Sequence, residues 1–125
     1  MLFTKRLDRD PPDVIAQECW RYHHIGIPTT VVHPGEKYIK EYKMYVSGFA
    51  TSPYGIEWMR FKKDSPVSEL IKTIPHIAFE VDNLEQALKG KKLIGKISSP
   101  SEGVKVAMIV DNNAPIELLE FDLKI

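Results

Sequence analysis

Two histidines and two glutamates recur at matched places in the two halves of this 125-residue chain. His24-Ile25-Gly26-Ile27 is answered by His76-Ile77-Ala78-Phe79, and Ile56-Glu57-Trp58-Met59-Arg60-Phe61 by Ile116-Glu117-Leu118-Leu119-Glu120-Phe121. The offset is 52 residues for the histidines and 60 for the glutamates, so the second copy is eight residues longer between the two. Imidazole with carboxylate suits Zn, Ni, Co, Mn or Fe, and four protein ligands still leave room for water or substrate on a five- or six-coordinate ion. Strand alternation puts Gly26 on the His24 face and Ala78 on the His76 face, small residues expected to leave space for a ligand beside each ring. Glu57 shares its face with Met59 and Phe61, and Glu117 shares its face with Leu119 and Phe121. A carboxylate set in apolar surface is costly unless paired or bound to a metal. One histidine on an apolar strand is usually a hydrogen-bonded core residue, and one edge glutamate is usually solvated. It is the paired recurrence that raises His24, Glu57, His76 and Glu117 above that reading.

Elements must exist to bring these four together. Pro11 and Pro12 introduce a short amphipathic helix, Asp13 to Trp20, within an N-terminal extension covering 1–21. A first module, 22–63, should begin with a strand from Tyr22 to Thr30. A helix from Pro34 should follow, with Tyr38, Ile39 and Tyr42 as its apolar stripe, then strands Lys43 to Thr51 and Ile56 to Lys62. Asp64 to Thr73 reads as a linker. A second module, 75–123, should open with the strand His76 to Val81. Its helix would be capped by Asp82 with Glu85 completing a capping box. Strands Leu93 to Ile97, Val104 to Val110 and Ile116 to Phe121 then close the chain.

Composition narrows the chemistry further. Hydrophobic residues make up 43% of the chain, enough for one core in a single domain spanning 1–125. Lys and Arg number 17 and so do Asp and Glu, which disfavours nucleic acid or anionic lipid as a partner. With one cysteine, Cys19, there is no thiolate cluster to build, so the metal ligands should be nitrogen and oxygen. Lys5, Arg6, Asp8, Arg9 and Asp10 interrupt any secretory signal at the amino terminus, and no apolar run approaches the roughly 20 residues of a membrane helix. A cytoplasmic protein with no membrane partner is expected. Phosphate loops, nucleophile elbows and dinucleotide fingerprints are missing from the sequence.

The doubled pattern of an HxGx or HxAF strand, a helix and a later IE(L/W) strand resembles the vicinal-oxygen-chelate superfamily. That group includes lactoylglutathione lyase, methylmalonyl-CoA epimerase, extradiol dioxygenases and bleomycin-resistance proteins. The resemblance spans Tyr22 to Phe121 and is strongest over Pro75 to Leu88 and Ala114 to Phe121. It implies an α+β glyoxalase-like fold in which two βαβββ modules form a curved, mixed, mostly antiparallel sheet around a cavity. It also implies a divalent metal on His24, Glu57, His76 and Glu117, with Glu57 or Glu117 shuttling a proton. The activity so implied is that of a metal-dependent lyase or isomerase acting on a small substrate with vicinal oxygens through an enediolate. An epimerase, or a non-catalytic small-molecule binding or resistance protein, is the alternative. A dioxygenase is disfavoured because Glu57 would fill the position needed for oxygen. The first module departs from the family in its shortened helix, Glu36 to Tyr42, which puts one strand in doubt. A homodimer is expected, since the two halves barely enclose one site and isologous pairing is the commonest closed assembly.

Remaining candidates read as structural. His23 should point to the face opposite His24. His33 falls in a loop, Trp20 and Trp58 read as core, and Arg60 reads as a surface partner for an acid. Lys89, Lys91, Lys92 and Lys96 should mark a solvated helix end and an edge strand.

Overall fold

A computed structural model describes residues 6–122. Residues 1–5 of the expected extension and residue 123 at the end of the expected second module lie outside the described residues. In chain order the elements are α1 (Asp13–Ala16), β1 (Arg21–Pro28), β2 (Lys37–Ile39), a 3-10 turn (Lys40–Tyr42), β3 (Met44–Ser47), β4 (Ile56–Phe61), α2 (Glu69–Thr73), β5 (His76–Glu80), α3 (Leu84–Ala87), β6 (Lys92–Ser98), β7 (Val104–Asp111) and β8 (Ala114–Phe121). The strands form one sheet in the order β2-β3-β4-β1-β5-β8-β7-β6, curled into a half-barrel. Read outward from the centre, β1 matches β5, β4 matches β8, β3 matches β7 and β2 matches β6. The pairs β1–β4 and β5–β8 are parallel and all other neighbours are antiparallel. This is the α+β glyoxalase-like architecture that the resemblance implies.

The first module keeps four strands but has no helix. The residues expected to form it make β2 and the 3-10 turn instead, so the module runs ββββ where βαβββ was expected. Tyr38 and Ile39 are neighbours on opposite faces of a strand, and the turn ends at Lys43, which adopts a left-handed conformation (φ 47) that a helix cannot continue through. The strand left in doubt is present as β2, paired with β3 from Lys37↔Val46 to Ile39↔Met44.

Local chemistry explains the other differences. The supposed linker carries α2, capped by the Ser68 hydroxyl, which accepts from the Leu70 N–H at 3.3 Å. Helix α3 is capped by Asn83 rather than Asp82: its side chain accepts from the Gln86 N–H at 2.9 Å, and Glu120 on β8 accepts from the Leu84 N–H at 2.7 Å. Asp82 instead meets Arg21 at 2.9 Å. Helix α1 ends at Ala16, four residues short of Trp20. The β7–β8 hairpin turns through Asn112 and Asn113, both at positive φ (48 and 66), the backbone that a two-residue turn between twisted strands requires.

The main core lies on the outer face of the second module. Helix α3 and the segment leading into β1 cover it with Leu84 and Trp20, which join Phe79, Val81, Ala107, Ile109 and Leu118. A smaller cluster of Ala78, Val104 and Leu119 lines the inner face. Trp58, expected in the core, is half-buried on the outer face of the first module and stacks on His33 at 5.0 Å with 9° between the planes. Among the described residues no helix is long and apolar enough to cross a membrane.

Candidate metal centre

The four residues are set by register. β1 and β5 run antiparallel at the centre of the sheet, with His24 opposite Ala78 and Gly26 opposite His76. The flanking parallel strands bring Glu57 beside Gly26 and Glu117 beside Ala78. Two rows result, Glu57-Gly26-His76 and Glu117-Ala78-His24, related by the approximate two-fold between the modules. A small residue stands in the middle of each row. A Cβ added to Gly26 would collide with His76 Cε1 and lie 2.7 Å from both ring nitrogens. The small residues were expected to leave room for a ligand; at Gly26 the space is filled by the ring of the histidine across the strand pair.

All four side chains border one cavity of about 870 Å³ inside the half-barrel. His24, His76 and Glu117 form a compact group whose ligand atoms all lie within 4.8 Å of one another. His76 Nε2 is 3.1 Å from Glu117 Oε1 and His24 Nε2 is 3.7 Å from the same oxygen. Glu57 stands outside that group and approaches His24 Nε2 at 3.9 Å. Both rings are buried, and His24 Nε2, His76 Nδ1 and His76 Nε2 have no hydrogen-bond partner; even the 3.1 Å approach of Glu117 is not aligned as a hydrogen bond. Buried imidazole nitrogens are normally satisfied. Here three are open, and two of them, His24 Nε2 and His76 Nε2, face carboxylate oxygens across a gap that a cation would bridge. The donor set therefore fits a divalent ion.

The two carboxylates are driven apart in basicity. Burial alone would push Glu117 up, but the facing His24 and His76 imidazoles outweigh it and hold its carboxyl at about 2. Burial pushes Glu57 above the usual carboxylate range, Glu117 adds repulsion, and His24 only partly offsets the two. Burial lowers His24, yet contact with Glu117 and the charge of Glu57 overcome that and leave it raised.

One cavity residue departs from its expected place. The pairing of Tyr22 with Phe79 and of His24 with Ala78 leaves His23 as an extra residue in β1, a β-bulge. In a regular strand His23 would face outward; the bulge turns it inward to border the cavity beside His24. Its Nδ1 lies 2.8 Å from His24 Nδ1, its ring stacks on Phe49 at 4.9 Å, and Phe121 lies at 5.5 Å. Alternation alone could not find it, although the doubled histidine has no counterpart in Pro75-His76. The rest of the lining is mostly apolar, with Met44, Met59, Phe61, Met108 and Leu119 on the walls, and exposed Lys96 is its one lysine or arginine among the described residues.

No family model and no curated protein sequence matches the chain. Solved structures do resemble it. A hypothetical protein of Bacillus halodurans superposes with a TM-score of 0.65 at 17% identity, covering 85% of this chain and 97% of that one. Methylmalonyl-CoA epimerase from Mycobacterium tuberculosis superposes with a TM-score of 0.51 at 16% identity, covering 80% and 87%. At such identities the likeness establishes a shared fold.

Proposed function

We propose that this chain is a divalent-metal-dependent enzyme that moves a proton at a carbon next to a carbonyl, acting as an isomerase, epimerase or lyase on small substrates with vicinal oxygens. One observation carries the reading: the unpartnered nitrogens of buried His24 and His76 converge on Glu117, with Glu57 a few ångströms away. His24, His76 and Glu117 would hold the ion, and when bound it would polarise a substrate carbonyl and stabilise negative charge growing on its oxygen. Glu117 suits the holding role because its carboxyl stays ionised. Glu57, whose carboxyl is pushed upward, has the basicity to take a proton from carbon and return it nearer neutral pH. Met59, Phe61 and Phe121 give that exchange an apolar wall. The likeness to methylmalonyl-CoA epimerase supports the epimerase form. The reading includes a homodimer, to be checked by sedimentation.

Titration calorimetry with Zn, Ni, Co and Mn, followed by proton NMR of solvent deuterium entering 2-hydroxy ketones, hemithioacetals and 2-methylacyl thioesters, tests this reading. The wild type should bind one ion and exchange at least one class of substrate. Glu57→Gln should keep binding within about tenfold while exchange falls by roughly 10²–10⁴. Glu117→Gln should lose both. Failure of every metal to bind would sink the proposal.

A second reading rests on the position of Glu57. Because Glu57 lies outside the compact group, His24, His76 and Glu117 make the two-histidine, one-carboxylate set that non-haem iron oxygenases use, with room left for oxygen. The apolar cavity would suit an aromatic diol. Oxygen uptake by the iron(II)-loaded protein with catechols, insensitive to Glu57→Gln, would favour this reading over proton transfer.

A further inference from the structure

We propose that the substrate is an uncharged ketone with a hydroxyl on the neighbouring carbon and an apolar group on each side of that pair, which excludes thioesters of coenzyme A and adducts of glutathione. The proposal deepens the proton-transfer reading and rests on it for the vicinal oxygens, while the two-sided apolar cavity stands by itself. The approximate two-fold that doubles the ligands also doubles the walls. Two residues beyond Glu57 and Glu117, β4 carries Met59 and β8 carries Leu119, and each pairs with a valine: Val46 on β3 with Met59, Val106 on β7 with Leu119. Phe61 and Phe121 follow at the next inward positions. All six border the cavity, three on either side of the central β1–β5 pair that carries His24 and His76. A molecule whose oxygens lie over the centre therefore meets hydrocarbon in both directions. At about 870 Å³ the cavity has room for a small molecule with substituents on both sides.

Charge in the lining points the same way. Among the described residues Lys96 is its one lysine or arginine, and the side chain is exposed; the carboxylates of Glu41, Glu57 and Glu117 stand against it. A divalent ion would offset those carboxylates and leave no surplus positive charge for a further anion. The carboxylates of glutathione or the phosphates of coenzyme A would enter a site that offers them a single solvated ammonium. Burying an anion there without a partner is costly, whereas each apolar carbon set against these walls is stabilised. Met44, Met59 and Met108, the three methionines among the described residues, all border the cavity. Their unbranched side chains reshape around different groups, so charge should decide entry more than chain length or branching.

Methyl NMR titration of the metal-free and the zinc-loaded protein tests this with acetoin, a hydroxyketone bearing a methyl on each side, and butyroin, which bears a propyl on each side. The methyl signals of Val46 and Met59 should shift together with those of Val106 and Leu119 along one binding curve. Affinity should rise roughly threefold for each methylene added between acetoin and butyroin. Propionyl-CoA and S-hexylglutathione should bind more weakly than butyroin, by about tenfold or more. Val46→Thr and Val106→Thr place a hydroxyl on either wall at nearly unchanged volume, and each should weaken butyroin by roughly 3–10-fold. Shifts confined to one module, affinity that does not rise with chain length, or a charged compound that binds as tightly as butyroin overturns the proposal. If either threonine variant does not fold, the wild-type shifts and the chain-length series decide it. If butyroin binds as stated while no metal does, the metal reading fails and the two-sided apolar site stands. If zinc binds and butyroin does not, the proposal falls and the metal reading stands.

Discussion

On its outer face the second module is closed by α3, with Leu84 set among Phe79, Ala107, Ile109 and Leu118. The matching face of the first module has no helix, and its aromatic side chains are covered by one another and by charge. His33 stacks on Trp58, the Arg60 guanidinium lies 4.1 Å over the Tyr45 ring while its Nε and Nη2 donate to Glu36, and Lys62 lies 5.2 Å over Tyr38. Two nearly equivalent four-stranded units are therefore finished by different physics. One buries hydrocarbon under a helix, and the other relies on stacking and cation–π contacts at a wet surface. Stability should reside mainly in the second unit.

The sharpest test sets Leu118→Ala against Trp58→Ala in urea denaturation. Leu118 is fully buried, and its loss should cost about 2–5 kcal/mol. Trp58 is half-buried and should cost roughly 1–2 kcal/mol despite its larger ring. Equal costs would break the comparison.

The two small residues in the central rows come next. Gly26→Ala should destabilise by about 1–3 kcal/mol, because the new methyl must displace the His76 ring, and it should weaken metal binding as well. At the matching place Ala78→Gly adds nothing to displace and should cost about 1 kcal/mol, the ordinary penalty for glycine inside a strand. Thermal unfolding combined with calorimetry separates the two effects.

The equivalent carboxylates should respond to pH with opposite signs. Glu117 is held at about 2, below its ordinary 4.5, so its contribution is complete above 4.5 and is lost as pH falls toward 2. His24, its partner across the central seam, is raised, so its share is complete below 6.5 and is lost as pH climbs through the raised value. Glu57 is raised, so its ionisation costs stability above its ordinary value. Metal-free protein should thus be most stable between about 4.5 and 6.5. Glu57→Gln should stabilise it at neutral pH, while Glu117→Gln should remove the acid-side loss. Unfolding midpoints across pH would show whether the two curves diverge. The smallest effect is expected at Asn83→Ala, which removes the α3 cap for about 1 kcal/mol or less, since Glu120 still accepts from Leu84.

The repeat made the site legible because the fold repeats it. His24 and His76 lie on matching strands, Glu57 and Glu117 sit in matching parallel registers, and side-chain alternation is enough to aim all four inward. Residues 34–42 misled because three apolar side chains over five positions satisfy a helical period by chance, while only pairing with β3 decides that Tyr38 and Ile39 belong to a strand. His23 was hidden for a different reason. A bulge is a property of two strands together, and Tyr22-His23-His24 alone gives no sign of where the extra residue will fall. The filling of the Gly26 space by His76 likewise needs the cross-strand register. The Asn83 cap turned on a choice between adjacent acceptors, settled because Asp82 is drawn to Arg21.

The seam between β1 and β5 joins residues far apart in sequence: Arg21 meets Glu80 across 59 positions, and each strand carries one of the two histidines. Closing so long a stretch of chain is a slow, late event in folding. Neither half alone presents more than one of those rings, so a partly folded chain offers an ion no pair of imidazoles to grip. An ion bound by both would act as a clasp on the last joint to close, lengthening the lifetime of the native state more than it hastens the route to it.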